Sequence, residues 1–341
     1  MILDVGLHNY DLPTVASYAS NAEAVGYGAL WTTESQHDPF LPLAVAATST
    51  TSLQLGTAIA LAFIRSPMEI AYVAWDLQKA SAGRFLLGLG TQVKAHNERR
   101  FAVKFESPAR KLREIVLALR TIWNCWQTGL PLHFKGEFYS FSLMTPTFNP
   151  GPIPQPEIPI YLAAVNPIMC RVSGEVADGI HMHPFHTVKY LKDHVRPNVE
   201  KGLRASDRST KNFVFATAAF VVIGDSESER SESAEAVKQK IAFYASTRTY
   251  EPVLAVHGWE GILPELHRKS IAGDWKGMTR LITDEMLDAV AVYGTYENIG
   301  KRLQERYAGI ADRIRLYFYA GSEVSATAWP RLHALPKQFR P

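Results

Sequence analysis

Residues 81–92, Ser81-Ala-Gly-Arg-Phe-Leu-Leu-Gly-Leu-Gly-Thr-Gln92, decide how this chain folds. A helical pattern runs down to Ser81 and Ala82, and Gly83 supplies the left-handed residue at which a helix stops. Arg84 then opens the apolar run Phe85-Leu86-Leu87, which reads as a strand buried on both faces. The strand ends in Gly88-Leu89-Gly90, where missing side chains let another group approach the backbone closely. Gln92, Lys94, His96, Asn97, Arg99 and Arg100 follow. A buried parallel strand whose carboxyl end opens into a Gly-rich, cationic loop is a common way for α/β enzymes to build a binding site.

Working outward, the same alternation repeats. Strands are expected at Ile2–Leu7, Ala29–Glu34, Leu53–Ala62, the run from Phe85, Ile160–Val165, Ile180–His183, Phe213–Ile223 and Arg313–Tyr319. Helices are expected at 12–27, 39–51, 66–82, 108–127, 166–177, 188–204, 226–246, 283–288 and 295–307, with Ser66 and Asn166 as amino-terminal caps. Eight strands alternating with helices predict an α/β fold, a closed (β/α)8 TIM barrel over 1–341. A doubly wound sheet would want Gly-x-Gly-x-x-Gly after the first strand, and His8-Asn9-Tyr10 stands there instead. After the fourth helix the texture changes. Residues 130–141 alternate around Lys135-Gly136 like a β-hairpin, and a Pro-rich run extends from Pro146 to Pro159. We read 128–159 as an insertion over one face of the barrel.

With 341 residues, 47% hydrophobic and 20% charged, the chain has ample core for a globular enzyme. A net charge of +3, spread along the chain, argues against a nucleic-acid partner. The two cysteines, Cys125 and Cys170, fall inside expected helices and read as buried thiols in a reducing compartment. No apolar run reaches membrane-spanning length, and Met1-Ile-Leu-Asp-Val-Gly begins directly as a strand. The expectation is a cytoplasmic protein without a membrane partner.

An ordered set of segments resembles the bacterial luciferase-like superfamily. It comprises Ala24-Val-Gly-Tyr with Leu30-Trp-Thr-Thr-Glu34, Leu55-Gly-Thr-Ala with Arg65-Ser-Pro67, and Gly83 to Gly90. Ile160-Tyr-Leu-Ala-Ala with Gly174-Glu-Val-Ala-Asp-Gly179, and Tyr293-Gly-Thr295 before a helix, complete it. The pattern is most similar to oxidoreductases that use the deazaflavin coenzyme F420. The resemblance implies a flavin or deazaflavin at the carboxyl-terminal mouth of the barrel and a homodimer. It also implies a non-prolyl cis peptide in the third strand, at about Ala58-Ile59-Ala60, against the rear face of the ring. The family's sugar-phosphate dehydrogenases carry Asp-His at the end of the second strand and a Glu after the fourth-strand glycines. Glu34-Ser35 and Val93 stand in those places here, so oxidation of a sugar phosphate is not expected.

Hydride chemistry needs a positioned ring and a group that handles a proton. Glu34, His37 and His8, at strand exits on the expected mouth, are the candidates for catalysis. Glu34 has a plain alternative, a buried carboxylate capping the next helix, in which role Asp38 competes. The expected cofactor contacts are Ala58, Ile59, Ala60, Arg65, Gly90, Thr91, Gln92, Lys94, Ala164, Asn166 and His183. Arg65 is there as a phosphate ligand, and Lys94, Arg99, Arg100 and Lys104 as a cationic track. His181, His183 and His186 invite a metal reading, but no carboxylate or cysteine nearby completes a ligand set, so no metal is expected. Trp31, Phe40 and Phe63 are candidates for an aromatic pocket lining. The function expected is F420-dependent hydride transfer to or from a small, mostly apolar molecule. The alternatives are a monooxygenase using reduced FMN from a separate partner reductase, and a non-catalytic flavin-binding barrel.

Overall fold

A computed structural model describes residues 1–7, 10–317 and 331–339 of the chain. Eight parallel strands close into a ring. They are β1 (Ile2–Leu7), β2 (Ala29–Thr32), β3 (Gln54–Thr57, resuming at Ala60–Leu61), β4 (Phe85–Gly90), β5 (Ile160–Ala164), β6 (Gly179–Met182), β7 (Val214–Ile223) and β8 (Arg313–Tyr317). Each pairs with its successor, and β8 closes on β1 with Ile2 opposite Arg313 and Asp4 opposite Arg315. Outside run α1 (Leu12–Val25), α2 (Leu41–Ser49), α3 (Pro67–Ala80), α4 (Pro108–Thr128), α5 (Pro167–Val176), α6 (188–205), α7 (Glu227–Ala245) and α8 (Ile299–Tyr307). This is the (β/α)8 barrel that the strand and helix alternation predicts. Among the described residues, no helix is long and apolar enough to cross a membrane.

Local chemistry sets the helix ends. Ser66 accepts a hydrogen bond from the Met68 amide at the start of α3, and Asn166 accepts one from Met169 at the start of α5. Ser226 and Glu229 form a reciprocal capping box at α7. Beyond α3 the chain turns through two left-handed residues, Ala82 (φ 50°) and Gly83 (φ 87°), before entering β4. Along α4, Leu112, Ile115, Val116, Leu119 and Ile122 are fully buried, as their helical spacing requires.

Two cores result. The larger lies between strands and helices. The smaller fills the ring itself with Ala29, Trp31, Ala58, Leu86, Tyr161 and Ala216. At its amino-terminal end the ring also holds a buried ion pair. Asp4 accepts from Arg313 Nε and Nη2 at 2.8 Å each, and from Trp31 Nε1 at 2.8 Å. Trp31, Phe40 and Phe63 are therefore core residues and do not line the cavity described below.

Several elements differ from the expectation. β3 is not continuous: it breaks at Ala58–Ile59, whose peptide bond is cis. The fourth-strand glycines serve this break. A Cβ on Gly88 would stand 1.8 Å from the Thr57 carbonyl oxygen, and one on Gly90 2.7 Å from Ile59 Cδ1. The group that approaches the Gly88-Leu89-Gly90 backbone is thus the neighbouring strand. A short helix, Lys94–Arg99, forms where a loop was expected, because Asn97 Nδ2 ties it to the carbonyl oxygens of Thr91 and Val93. α6 contains a π-helical turn at Leu191–Val195, and Val292–Gly294 adds a short strand beside β7. In the segment after α4, Phe134–Lys135 pairs with Ser140–Phe141. Buried Glu114 of α4 accepts the amides of Glu137, Phe138 and Tyr139, fixing that hairpin to the barrel.

Candidate active site

A cavity of about 590 Å³ opens at the carboxyl ends of the strands, within the range of small-molecule sites. Its walls come from Thr33–Ser35 beyond β2, Ala58, Ile59 and Leu61 of β3, and Gly90–Val93 beyond β4. Ala163–Asn166 with Met169, then His181–Pro184, continue the wall from β5 to β6. Lys240, Phe243, Tyr244, Thr249 and Tyr250 close the side toward α7, and Arg315 and Tyr317 rise from β8. Of the expected contacts, Glu34, Ala58, Ile59, Gly90, Thr91, Gln92, Ala164, Asn166 and His183 all face this one space.

Four others do not. His37 is exposed, and its ring lies 5.2 Å from that of Tyr10. Ala60 is buried in β3, paired with Leu89 of β4. Lys94 is exposed, 3.9 Å from Glu98, and Lys104 pairs with Glu106 at 2.6 Å; of the expected cationic track only Arg100 borders the cavity. His8 lies outside the described residues.

Arg65 is the fourth, and it changes the reading of Glu34. Its Nη1 and Nη2 reach Glu34 Oε2 and Oε1 at 2.8 Å each, and Nη2 also reaches Asp38 Oδ2 at 2.9 Å. Glu34 Oε2 further accepts the Leu61 amide at 2.7 Å. A carboxylate held this way, with a side chain only 8% exposed, is a strut between β2 and β3. The helix-capping role falls to Asp38, whose Oδ1 accepts the amides of Phe40 and Leu41. Arg65, its guanidinium committed to two carboxylates, offers no phosphate site.

The side toward β6 and β8 is aromatic and basic. His183 Nδ1 accepts the Phe185 amide at 3.1 Å, so the neutral ring carries its proton on Nε2. Tyr244 and Tyr250 flank that ring at 4.5 Å each. Burial, the His186 ring and Arg315 lower the His183 pKa to about 3. Deeper, His181 stands edge-on to Trp31 at 4.8 Å, and burial with Arg315 and Arg313 holds it well below the usual imidazole range. The hydroxyls of Tyr244 and Tyr317 share a hydrogen bond of 2.7 Å, and burial raises the Tyr244 phenol far above its ordinary value. His183, His181 and Tyr244 are thus uncharged at neutral pH. His186 is not in the lining: its Nε2 meets the Tyr307 hydroxyl at 2.9 Å and its Nδ1 the His183 carbonyl oxygen at 2.6 Å, which braces the His183 backbone. Among the described residues no three His, Cys, Asp or Glu side chains cluster as a metal site.

Sequence reasoning missed Arg315, Tyr317, Tyr244 and Tyr250. A signal existed for two of them, since Arg313, Arg315 and Tyr317 alternate along one strand and so share a face. Nothing in the local sequence marks the tyrosines beside α7.

Comparison with known proteins places this geometry. The luciferase-like monooxygenase family model matches residues 4–313. An uncharacterized protein of Mycobacterium tuberculosis is 44% identical over 321 residues, covering 94% of this chain and 94% of the relative. The 5,10-methylenetetrahydromethanopterin reductase of Archaeoglobus fulgidus is 25% identical, covering 95% of this chain and 94% of that one. Among solved structures, the coenzyme F420-dependent tetrahydromethanopterin reductase from Methanopyrus kandleri superposes with a TM-score of 0.78 at 20% identity, covering 99% of this chain and 97% of that one. The closed barrel, the broken third strand and the match across residues 4–313 together mean that the chain belongs to the luciferase-like monooxygenase family.

Proposed function

We propose that this chain is an F420-dependent oxidoreductase that moves a hydride to or from a small organic substrate. The observation that carries the reading is the cavity at the strand ends. It is walled on one side by small residues (Ala58, Gly90, Ala163, Ala164) with Ile59, and on the other by hydrogen-bond donors, among them His183, Tyr244 and Arg315. The small residues leave a surface on which a planar ring can lie, and its 590 Å³ has room for a ring and a small partner. One buried polar atom of a lining residue, Arg315 Nε, lacks a partner, as expected where a polar ligand completes a site. Two relatives, from Archaeoglobus and Methanopyrus, are named as reductases of a methanopterin substrate, and the second as F420-dependent.

When bound, the deazaflavin supplies or accepts the hydride. The chain's own part is to exclude water with Ile59, Met169 and Met182, to offer Nε2–H of His183 to an acceptor oxygen, and to orient the substrate with the hydrogen-bonded Tyr244–Tyr317 hydroxyls. Glu34 and Arg65 hold the β3 break in place. The same reading includes a cytoplasmic homodimer, to which the two buried free thiols conform.

Titration of the apoprotein with F420 and with FMN, followed by quenching of coenzyme fluorescence, tests this reading. F420 is expected to bind at least roughly tenfold more tightly, a difference of about 1.4 kcal/mol, and its reduced form to be stable to oxygen on the protein. Tighter FMN binding, with oxygen uptake when reduced FMN is supplied, makes the protein a monooxygenase fed by a reductase. Binding of neither makes it a non-catalytic barrel.

A further inference from the structure

On β8, Arg313, Arg315 and Tyr317 occupy alternate positions, so their side chains enter the ring in successive layers. The lowest, Arg313, is neutralised by Asp4. The highest, Tyr317, is hydrogen-bonded to Tyr244. Between them Arg315 has neither kind of partner. Its Nη2 reaches only the Ala58 carbonyl oxygen, at 3.4 Å, its Nε is buried with no acceptor, and no carboxylate among the described residues bridges to it. Its neighbours in the lining, His181, His183 and Tyr244, are uncharged at neutral pH. The carboxylate of the lining, Glu34, is already spent on Arg65. The cavity floor therefore carries a positive charge that no carboxylate among the described residues balances.

Buried charges are found paired or ligand-bound, because an isolated one forfeits its hydration without return. A guanidinium whose Nε has no acceptor keeps parallel N–H donors uncommitted, and these suit a planar carboxylate. The walls above it, Tyr250, Phe243 and Met182, suit an organic body.

We propose that the cavity floor is a carboxylate subsite anchored by Arg315, and that the substrate of the hydride transfer is a small organic carboxylate. The substrate clause rests on the reading above; the anion site does not.

Benzoate, benzamide and inorganic phosphate are the probes, titrated into the apoprotein by calorimetry. Benzoate is expected to bind and its neutral isostere benzamide to bind at least about tenfold more weakly. Arg315→Gln is expected to weaken benzoate by about a hundredfold, the usual consequence of removing one partner of a buried charge pair. Arg315→Lys should recover part of that loss. Because the charge is unbalanced in the ligand-free state, Arg315→Met is expected to melt at or above the wild-type temperature without ligand and to lose the upward shift that benzoate gives the wild type. Equal affinity for benzoate and benzamide overturns the proposal, as does phosphate binding more tightly than benzoate. So does a lowered melting temperature of ligand-free Arg315→Met, which marks a structural arginine. Loss of F420 affinity in Arg315→Gln with benzoate binding intact also overturns it and assigns the charge to the coenzyme. If wild type binds benzoate through Arg315 but binds no F420, the reading of the previous subsection fails while the anion site stands.

Discussion

Replacing Asp4 by alanine tests how the ring is held shut. The carboxylate is 3% exposed and accepts three hydrogen bonds at 2.8 Å, two from Arg313 and one from the Trp31 indole. These span β1, β2 and β8, where the last strand closes on the first. Without the carboxylate, Arg313 keeps the neutral partners Gln54 Oε1, at 2.5 Å, and Tyr161, and Trp31 Nε1 loses its partner. Breaking a buried pair from one side costs about 3–5 kcal/mol, since the remaining charge is stranded. For a chain of 341 residues that is a fall in melting temperature of roughly 4–7 °C. The control is Asp4→Leu with Arg313→Met, which removes both charges and fills the space. Its expected cost is about 1 kcal/mol, against about 3–5 kcal/mol for each single, Asp4→Leu and Arg313→Met, so the double-mutant cycle should show a coupling of at least about 5 kcal/mol. Urea and thermal unfolding of the four proteins at pH 7 measure it. An Asp4→Ala variant within about 1 kcal/mol of wild type, or singles that add up to the double, would refute the claim that this pair governs closure.

Other consequences follow from the same geometry. Free imidazole takes its proton near 6.5, whereas His183 does so at about 3, His186 at about 4 and His181 well below its usual value. Below pH 6.5 the unfolded chain therefore binds more protons, so stability is lost as pH falls from about 6.5 toward 3, at up to about 4 kcal/mol per pH unit for three such groups. Denaturation midpoints at pH 7 and 5 check this, and His183→Gln should flatten the slope by about a third. Glu34→Ala and Arg65→Ala should each lower stability by about 2–3 kcal/mol, and the double variant by little more than the larger single, since both break one clamp; additive losses in unfolding titrations would contradict the clamp. Gly88→Ala, whose Cβ would stand 1.8 Å from the Thr57 carbonyl oxygen, should cost more than about 4 kcal/mol and give little folded protein, measured by circular dichroism.

The β2–β5 half of the site was legible because it is built from backbone and small residues. Gly88, Gly90, Ala58 and Ala164 are exceptions to an otherwise bulky apolar pattern, and exceptions at strand ends are visible in a sequence. Ionic partnerships were not visible. Glu34 stood out as an acid at a strand exit and Arg65 as a cation at another, but nothing local says that they face each other at 2.8 Å. Once paired, each loses the role its isolated chemistry suggested. His37 failed for a different reason: one residue of loop geometry decides whether a side chain turns inward, and the Asp38 cap on α2 fixes it outward.

Arg313 and Arg315 show why the other half of the site stayed hidden. They are the same residue two positions apart on one strand, facing one interior, and pattern alone assigns them one fate. In the ladder between β1 and β8, Asp4 stands opposite Arg315, yet its carboxylate bonds Arg313. Two neighbours decide this. The Trp31 indole donates to Asp4 Oδ2 and draws the carboxylate toward the amino-terminal end, and Gln54 Oε1 receives the remaining edge of Arg313. The lower arginine is thereby completed as structure. The upper one, with its Nε buried and unmatched beneath the tyrosines, is left as the charge that the cavity presents to whatever enters it.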